Sequence, residues 1–327
     1  MVLLCLINLG ECLNFIGFLL ALPQAFAEDR PASTVDLGMS EVSRTNLDAF
    51  SGVRFAPAVL PLVSRYQAQG SVVGQVDDVL GWHVGASVID SSTGPIAMGL
   101  QVQYATGDAP LEGDALPGWR LPEEDLIRDF ADLGVTAAGA VSFLNRQYGL
   151  GMSATYLGRT YLTRSDSGSL ILDFVMDRTE EVRVHQLELN ASASAKLADM
   201  VVVATGFNDW LGISGYRKPF VSARVGVIDS PSRGVYENLG GIELDLEGAW
   251  GSEGFGLGSV GIGGDVRVSE LLFRMGYQYD GIESSHKPGV GFGLDDGKVS
   301  LDYGVQLNIQ EATLGAHWHS LGVRFRI

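Results

Sequence analysis

The run from Leu271 to Ile327 constrains the fold more than any other part of the sequence. It contains four short segments in which bulky apolar residues alternate with small or polar residues. One of them carries Val299, Leu301, Tyr303, Val305 and Leu307 on one parity and Ser300, Asp302, Gly304 and Gln306 on the other. Successive side chains of a β-strand point to opposite faces of the sheet. The period of two therefore predicts four strands, each with an apolar face and a polar face.

Two folds accommodate such strands. In a soluble β-sandwich the apolar face packs into a core and the polar face meets water. In a membrane barrel the apolar face meets lipid, and the polar face lines a lumen. The segments run about ten residues, the length that a tilted strand needs to cross a bilayer, whereas soluble strands are commonly about five or six residues long. The sequence therefore predicts an all-β protein, a transmembrane antiparallel β-barrel, with the sandwich as the alternative.

Residues 1–27 are predicted to be a secretory signal peptide. The segment has an apolar stretch over Phe15–Leu22 and ends in Ala25-Phe26-Ala27, the small-x-small pattern of a cleavage site. It departs from that pattern in having no Lys or Arg, which leaves an uncleaved membrane anchor as the alternative. Both cysteines, Cys5 and Cys12, lie in this segment. The mature chain would therefore contain no disulfide.

Residues 28–61 are predicted to form a periplasmic arm and a lumen plug ahead of the barrel, which is assigned to residues 62–327. This part of the chain lacks the alternation of the later segments, and Pro57 and Pro61 argue against a central strand because proline cannot donate a ladder hydrogen bond. The candidate plug residues are Asp48, Phe55, Pro57 and Pro61.

Alternation predicts fifteen strand segments, whereas closed single-chain bacterial barrels normally have an even number of strands. We therefore expect about fourteen strands, with the poorly patterned first segment or one of the middle segments as the error. Besides the four C-terminal segments, the predicted strands are 62–73, 80–88, 96–104, 133–144, 147–160, 168–177, 182–195, 199–206, 216–227, 239–250 and 256–268.

Residues 106–132 interrupt the alternation. They contain eight acidic and two basic residues, three prolines, and a helix-like run over 122–132 whose acids crowd its first turn. The pattern predicts a long acidic loop, and long loops of membrane barrels lie outside the cell. It is interpreted either as a solvated loop or as a lid or docking surface.

Candidate lumen residues come from the segment that contains Leu244. Glu243, Asp245 and Glu247 lie on the face opposite its apolar residues and cannot face hydrocarbon, so they are predicted to face water in the lumen. Arg274 lies on the lumen parity of a later segment. These four residues could contact a ligand or form a charge network that stiffens the wall.

Catalytic, cofactor and metal sites are not expected. Ser320 adjoins His319, but adjacent strand residues point to opposite faces, so the pair does not form a hydrolase site. The glycine-rich stretch 258–264 lies in a strand pattern with no helix after it, which excludes a nucleotide loop. His317 and His319 share a face and could hold a metal, although a position beside an aromatic girdle is the preferred interpretation. The net charge of −17 argues against nucleic-acid binding.

A turn is predicted at 295–297. Asp296-Gly297 between two alternating runs favours a hairpin over a calcium site.

Two stretches are similar to the long-chain fatty-acid transporter (FadL-like) outer-membrane family. Asp48-Ala49, followed after seven residues by Pro57-Ala58, resembles that family's Asn-Pro-Ala segment, with Ala56 in place of the Asn. Residues 272–277, 289–294, 301–303 and 320–325 resemble its last four strands. The resemblance implies a fourteen-stranded barrel of the bacterial outer membrane whose N-terminal segment plugs the lumen and through which apolar small molecules pass. A related branch serves in protein secretion.

The sequence thus leaves two functions open. The first is a transporter in outer-membrane lipid that admits fatty-acid-like molecules. The second is a scaffold that transports nothing and docks secretion or envelope partners. A continuous apolar pocket between plug and wall would favour transport, and a lumen filled by charged pairs would favour the scaffold.

Overall fold

A computed structural model describes eleven stretches of the chain, and all structural statements below refer to them. They are residues 38–46, 50–76, 81–108, 125–165, 178–197, 200–211, 217–229, 237–251, 254–282, 284–310 and 313–326.

Fourteen antiparallel strands form a closed barrel in which each strand pairs with its neighbours in sequence, and β1 closes the ring by pairing with β14. Closure satisfies the backbone hydrogen bonds of every strand without leaving an edge. The strands are β1 (Tyr66–Val76), β2 (Gly81–Asp90), β3 (Ile96–Asp108), β4 (Asp125–Phe143), β5 (Tyr148–Ser165), β6 (Arg178–Leu197), β7 (Val201–Asn208), β8 (Lys218–Asp229), β9 (Glu237–Gly251), β10 (Gly254–Val268), β11 (Leu271–Asp280), β12 (Ser285–Asp295), β13 (Val299–Gln310) and β14 (Thr313–Arg326).

The two faces of the wall differ in chemistry, as the alternation predicts. On β9, Leu244 is 57% exposed on the outer face, while its neighbours Glu243 and Asp245 are 0% and 4% exposed on the inner face. The same alternation recurs around the ring, so large apolar side chains cover the outer face. They include Val84, Met98, Leu150, Leu244, Phe273 and Phe292. An apolar outer surface of this extent is stable against lipid and unstable against water.

The barrel has two dissimilar ends. β1 begins and β14 ends at one of them, where Gln67 pairs with Arg326, and short connections such as 269–270 and 296–298 lie there. We call this the terminal end. The two longest connections, 109–124 and 166–177, join strands at the opposite end, which we call the loop end.

The predicted strand count is confirmed, and the extra segment is a middle one. The barrel closes without 168–177, which lies outside the described residues. The weak first strand is real, but it begins at Tyr66 rather than at residue 62, because Leu62 ends a 3-10 helix.

The predicted loop and helix over 106–132 are wrong at both borders. β3 continues to Asp108 and β4 begins at Asp125, so 125–132 is strand rather than helix. Asp132 pairs with Ala105 of β3 and with Arg159 of β5. Backbone pairing on both sides outweighs the weak helix-start signal of the clustered acids. The connection that remains, 109–124, lies outside the described residues.

Between Phe50 and the start of β1, the described chain contains two short helices. They are α1 (Ser51–Arg54) and the 3-10 helix η1 (Pro57–Leu62). Within the described residues, no helix has the length and apolar character required to span a membrane.

Candidate functional site

The N-terminal segment, defined here as Gly38–Asn46 together with Phe50–Val63, lies against the inner face of the barrel. Val53 packs near Gly99 of β3, and Val42 packs near Gly261 of β10. These two strands are seven places apart in a ring of fourteen, so they lie on opposite sides of the lumen. The segment therefore reaches across the barrel, and its residues in both helices are buried.

Two apolar clusters hold the Phe50–Val63 part. One joins Phe50, Val53 and Leu60 to small or branched residues of β2, β3 and β4, namely Ile89, Ala97 and Ala138. The other joins η1 and its flanks to β7 and β8, and consists of Ala56, Val59, Leu62, Val63, Val202, Ala204 and Phe220. The Phe50–Val63 part is thus packed against apolar, inward-facing side chains of these strands, and this burial stabilises its position.

Glycines of β5 allow the backbone of η1 to touch the wall. A Cβ at Gly151 would lie 2.6 Å from the nitrogen of Ala58, and one at Gly149 would collide with the carbonyl oxygen of Ala58. The same peptide is fixed by two serines of β6. The Ala58 N–H donates to Ser192 Oγ (3.0 Å), and Ser194 Oγ donates to the Ala58 carbonyl (2.7 Å). Only a residue without a side chain permits this approach.

Arg54 is held by a polar pocket that sequence patterning did not single out. Its Nη2 and Nε donate to the two oxygens of Glu188 on β6, at 2.6 Å and 3.3 Å. The Arg54 carbonyl accepts hydrogen bonds from Ser153 Oγ (2.6 Å) and Asn190 Nδ2 (2.9 Å). Both charges are buried and paired, as a buried charge must be.

The three predicted lumen acids of β9 come together on the Gly38–Asn46 part of the segment. Arg44 Nη1 donates to Asp245 (2.6 Å), and its Nη2 donates to Glu247. The Thr45 N–H donates to Glu243 (2.7 Å). Charge-assisted bonds of this type are the strong class of protein hydrogen bonds.

Close backbone contact also fixes the start of the segment. Val42 lies against Gly261 and Gly263 of β10, and Met39 lies against Gly276 of β11. Gly38 lies against Gly291 of β12. Both parts of the segment thus contact the wall at glycines, where no side chain keeps the two backbones apart.

Arg274, the fourth predicted lumen residue, faces inward as predicted but belongs to a separate network. Its Nη1 donates to Asp302 of β13 (2.8 Å). Arg324 of β14 lies 3.4 Å from the same carboxylate, and Arg326 pairs with Asp295 at 2.8 Å. These pairs tie β11–β14 together near the terminal end.

The predicted plug residues have different fates. Phe55 lies half-buried between two guanidinium groups, 4.7 Å from Arg54 and 5.8 Å from Arg44, a cation–π arrangement. Pro57 and Pro61 lie buried in η1, and the Pro61 carbonyl accepts a hydrogen bond from Arg146 of the β4–β5 turn (3.2 Å). Asp48 lies outside the described residues.

The histidine pair faces away from the lumen. On β14, His319 alternates with the buried, inward-facing Ser320, and its Nδ1 shares a hydrogen bond of 2.7 Å with the Tyr303 hydroxyl on the outer face. The rings of His317 and His319 form a T-shaped contact, with centroids 5.4 Å apart. Among the described residues, no group of three or more His, Cys, Asp or Glu side chains is arranged to hold a metal ion.

The structure has the predicted turn at 295–297. Gly297 has φ +92°, a conformation that glycine adopts without strain. The backbone N–H groups of Val299 and Lys298 donate to the Asp296 carboxylate and hold its pKa below the usual range.

An apolar depression of about 520 Å³ lies on the outer face, near the terminal end of β11–β14. Its walls include Phe273, Phe292, Leu301 and Leu321. These side chains lie on the outer face, so the depression is not the predicted pocket between plug and wall.

No protein-family model matches the sequence, and no curated protein matches it by sequence. Solved structures show the class of fold. A Pseudomonas aeruginosa FadL homologue aligns with a TM-score of 0.58 at 10% identity, covering 90% of this chain and 98% of that one. The protein, a closed barrel of fourteen strands, therefore shares the fold of this FadL homologue. At 10% identity the alignment shows the fold and not the family.

Two further structures are more distant in shape. The translocator domain of the autotransporter NalP from Neisseria meningitidis has a TM-score of 0.44 at 11% identity, with coverage of 80% and 88%. A mutant of the Rh. blastica porin has a TM-score of 0.36 at 12% identity, with coverage of 80% and 99%.

Proposed function

We propose that the protein is a transport barrel of the bacterial outer membrane, in which the N-terminal segment is a plug that closes the lumen. One observation carries the proposal: the segment crosses the lumen from β3 to β10 and is held there by side chains and close backbone contacts. A plug held in this way contributes no strand to the ladder, so it can move without opening the barrel wall.

The orientation of the barrel follows from its ends. Short turns characterise the periplasmic side of bacterial barrels, and longer loops the extracellular side. We therefore assign the terminal end to the periplasm and the loop end to the cell exterior. The signal peptide predicted over 1–27 would direct export of the chain to the periplasm, from which it would reach the outer membrane. Outer-membrane lipid would contact the apolar outer face.

The ligand that we propose is an apolar, fatty-acid-like small molecule. The resemblance to the FadL-like family and the fold of the FadL homologue support this choice. The apolar clusters beneath Phe50–Val63 add a physical reason. If that part of the segment moves, Ile89, Ala138 and Phe220 become an apolar inner surface, the kind of lining that ligand pockets have. We assign the protein no catalytic role.

A second candidate function is supported by a different observation. Buried ion pairs occupy much of the described inner wall, including Arg54–Glu188, Arg224–Asp265 and Arg274–Asp302. Such pairs hold the inner side chains in one arrangement. They also leave little apolar surface in the lumen along which an apolar molecule could pass. A scaffold that transports nothing and docks a secretion or envelope partner would have this interior.

Deletion of Glu28–Pro61 tests the proposal. All fourteen strands begin after Pro61, so the barrel should still fold and keep its heat-modifiable migration on gels. Conductance for small ions in planar bilayers should rise well above that of the full-length protein. Uptake of a fluorescent fatty acid into proteoliposomes then separates the two functions, because a transporter admits it in the full-length form and a scaffold does not.

Two results would contradict the plug. Loss of folding on deletion would show that the segment supports the wall itself. Unchanged conductance with a folded barrel would show that other residues close the lumen.

A further inference from the structure

The inner wall carries a polar side-chain cluster beside the point where Val42 of the plug packs against Gly261, the cross-strand partner of Gln278. It lies on β11, β12, β13 and β14 in their halves nearer the loop end. Gln278 pairs with Lys287 across β11 and β12, and Gln306 pairs with Gly289 across β12 and β13. Neighbouring strands lie about 4.8 Å apart, so these side chains and that of Asn308 line a patch roughly 10 Å wide. We call Gln278, Lys287, Gln306, Asn308 and Trp318 the amide patch.

The amides of this patch have unmet hydrogen-bonding capacity. In the described structure, Gln278 Oε1, Gln306 Nε2 and Asn308 Oδ1 are buried without a hydrogen-bond partner. Gln278 is 6% exposed and Gln306 is 2% exposed. Buried polar atoms normally have partners, because each unmade bond costs free energy. Three such atoms on β11 and β13, the two neighbours of β12, therefore indicate a surface that can bind a polar molecule.

An aromatic ring completes the patch. Trp318 of β14 lies directly opposite Gln306, and cross-strand partners share a face. Trp318 is two residues from Ser320, which is buried on the inner side. The tryptophan therefore faces the lumen beside the amides, in contrast to the exposed Trp82 and Trp250 on the outer face.

The charges of the patch select a neutral ligand. Lys287 Nζ donates to Asp280 at 3.2 Å, so the cation has an adjacent anion. The remaining groups are amides, which offer donors and acceptors together. Hydroxyl groups also donate and accept, and an aromatic face packs against the apolar C–H face of a sugar ring. Separated from the periplasm by Gly38 and Met39 of the plug, the patch is placed on the extracellular side of that segment.

We propose that the amide patch is a binding site for a neutral saccharide ring. The ring can belong to a free saccharide or to the headgroup of a glycolipid. This site goes beyond the proposed transport of an apolar molecule.

Calorimetry on the full-length protein in amphipol tests the site with two probes of identical headgroup, maltose and monomeric dodecyl maltoside. Gln306→Ala and Trp318→Ala should each weaken binding at least tenfold. Gln69→Ala is the matched control, because Gln69 is another buried amide of the inner wall, located on β1 near the terminal end. It should bind as the unmodified protein does. Heat-modifiable migration checks that each variant is folded, and Asn308→Ala replaces any variant that is not.

The two probes separate the sources of the ring. Equal affinity for both assigns the site to free saccharides, and a strong preference for dodecyl maltoside that Gln306→Ala abolishes assigns it to a glycolipid headgroup. The proposal is overturned if neither probe binds at millimolar concentration. It is also overturned if binding is the same in Gln306→Ala, Trp318→Ala and Gln69→Ala, since the probe would then occupy another surface. Both results leave the plug deletion experiment unaffected.

Discussion

The two faces of β9 place successive residues of one strand in opposite surroundings. Ile242, Leu244 and Leu246 are more than half exposed on the outside, where lipid would cover them. Glu243, Asp245 and Glu247 are buried on the inside, where Arg44 and Thr45 of the plug bind them. The outer face needs only to be apolar, whereas the inner face needs a particular partner. Substitutions on the two faces should therefore fail for different reasons.

Arg44→Met should have the largest effect on the inner face. It removes the cation that pairs with Asp245 and Glu247 and leaves two buried carboxylates without it. Breaking a buried pair in this way costs about 3–5 kcal/mol. Displacing the plug lets water solvate the acids, so the open population should rise more than about a hundredfold. Single-channel recordings in planar bilayers measure this population as the fraction of time in the conducting state.

The matched controls for Arg44→Met leave neither of these two carboxylates buried without a partner cation. Arg44→Lys retains the cation and should stay mostly closed. Combining Arg44→Met with Asp245→Asn and Glu247→Gln removes the unpaired charges and should restore much of the closure. A single Arg44→Met variant that conducts no more than the unmodified protein would show that the β9 acids do not hold the plug.

On the outer face, Leu244→Arg should impair insertion into the membrane. A cation on the lipid face near the bilayer midplane costs about 2–4 kcal/mol. Glu243→Arg, one residue away, places the same side chain on the inner face, where it can loosen the plug without meeting hydrocarbon. Folding from detergent into bilayers, followed by the gel band shift, should be reduced far more by Leu244→Arg. Equal folding of both variants would contradict the assigned faces of β9.

Alternation was sufficient to predict the wall, because lipid outside and polar contacts inside act on every strand in the same local way. It predicted about fourteen strands, and that count is confirmed. Glu243 and Arg274 are buried, at 0% and 5% exposure. It failed at 125–132, where a clustered acid signal suggested a helix and pairing with β3 and β5 makes a strand. Local propensity is weak beside a two-sided ladder.

The partners of these residues could not be predicted from a local pattern. Arg44 and Asp245 are about two hundred positions apart, and Arg54 and Glu188 are more than a hundred apart. No sequence-spacing rule predicts such pairs, because their side chains come together only in the closed barrel. The role of Gly149 is similar: a glycine in a strand suggests a close approach, but only the fold shows that Ala58 makes it.

Thr45→Val should have the smallest effect, because it removes one side-chain hydrogen bond and keeps the stronger backbone contact. Thr45 Oγ1 lies 3.3 Å from Ser222 Oγ, whereas the Thr45 N–H donates to Glu243 at 2.7 Å. Valine is close to threonine in shape, so the backbone bond should persist. Ser222 Oγ also donates to Glu243 at 2.8 Å, so the serine retains a partner. The loss should be about 0.5–1.5 kcal/mol.

Single-channel recordings of Thr45→Val measure its open population, which should rise by roughly tenfold or less. Ser222→Ala is the comparison, because it removes both hydrogen bonds of that hydroxyl and should open the channel more than Thr45→Val does. If Thr45→Val opened the channel as much as Arg44→Met, the side chain of Thr45 rather than the charge of Arg44 would hold the plug. The inner face of β9 would then depend on shape and neutral hydrogen bonding, and its difference from the outer face would not be one of charge.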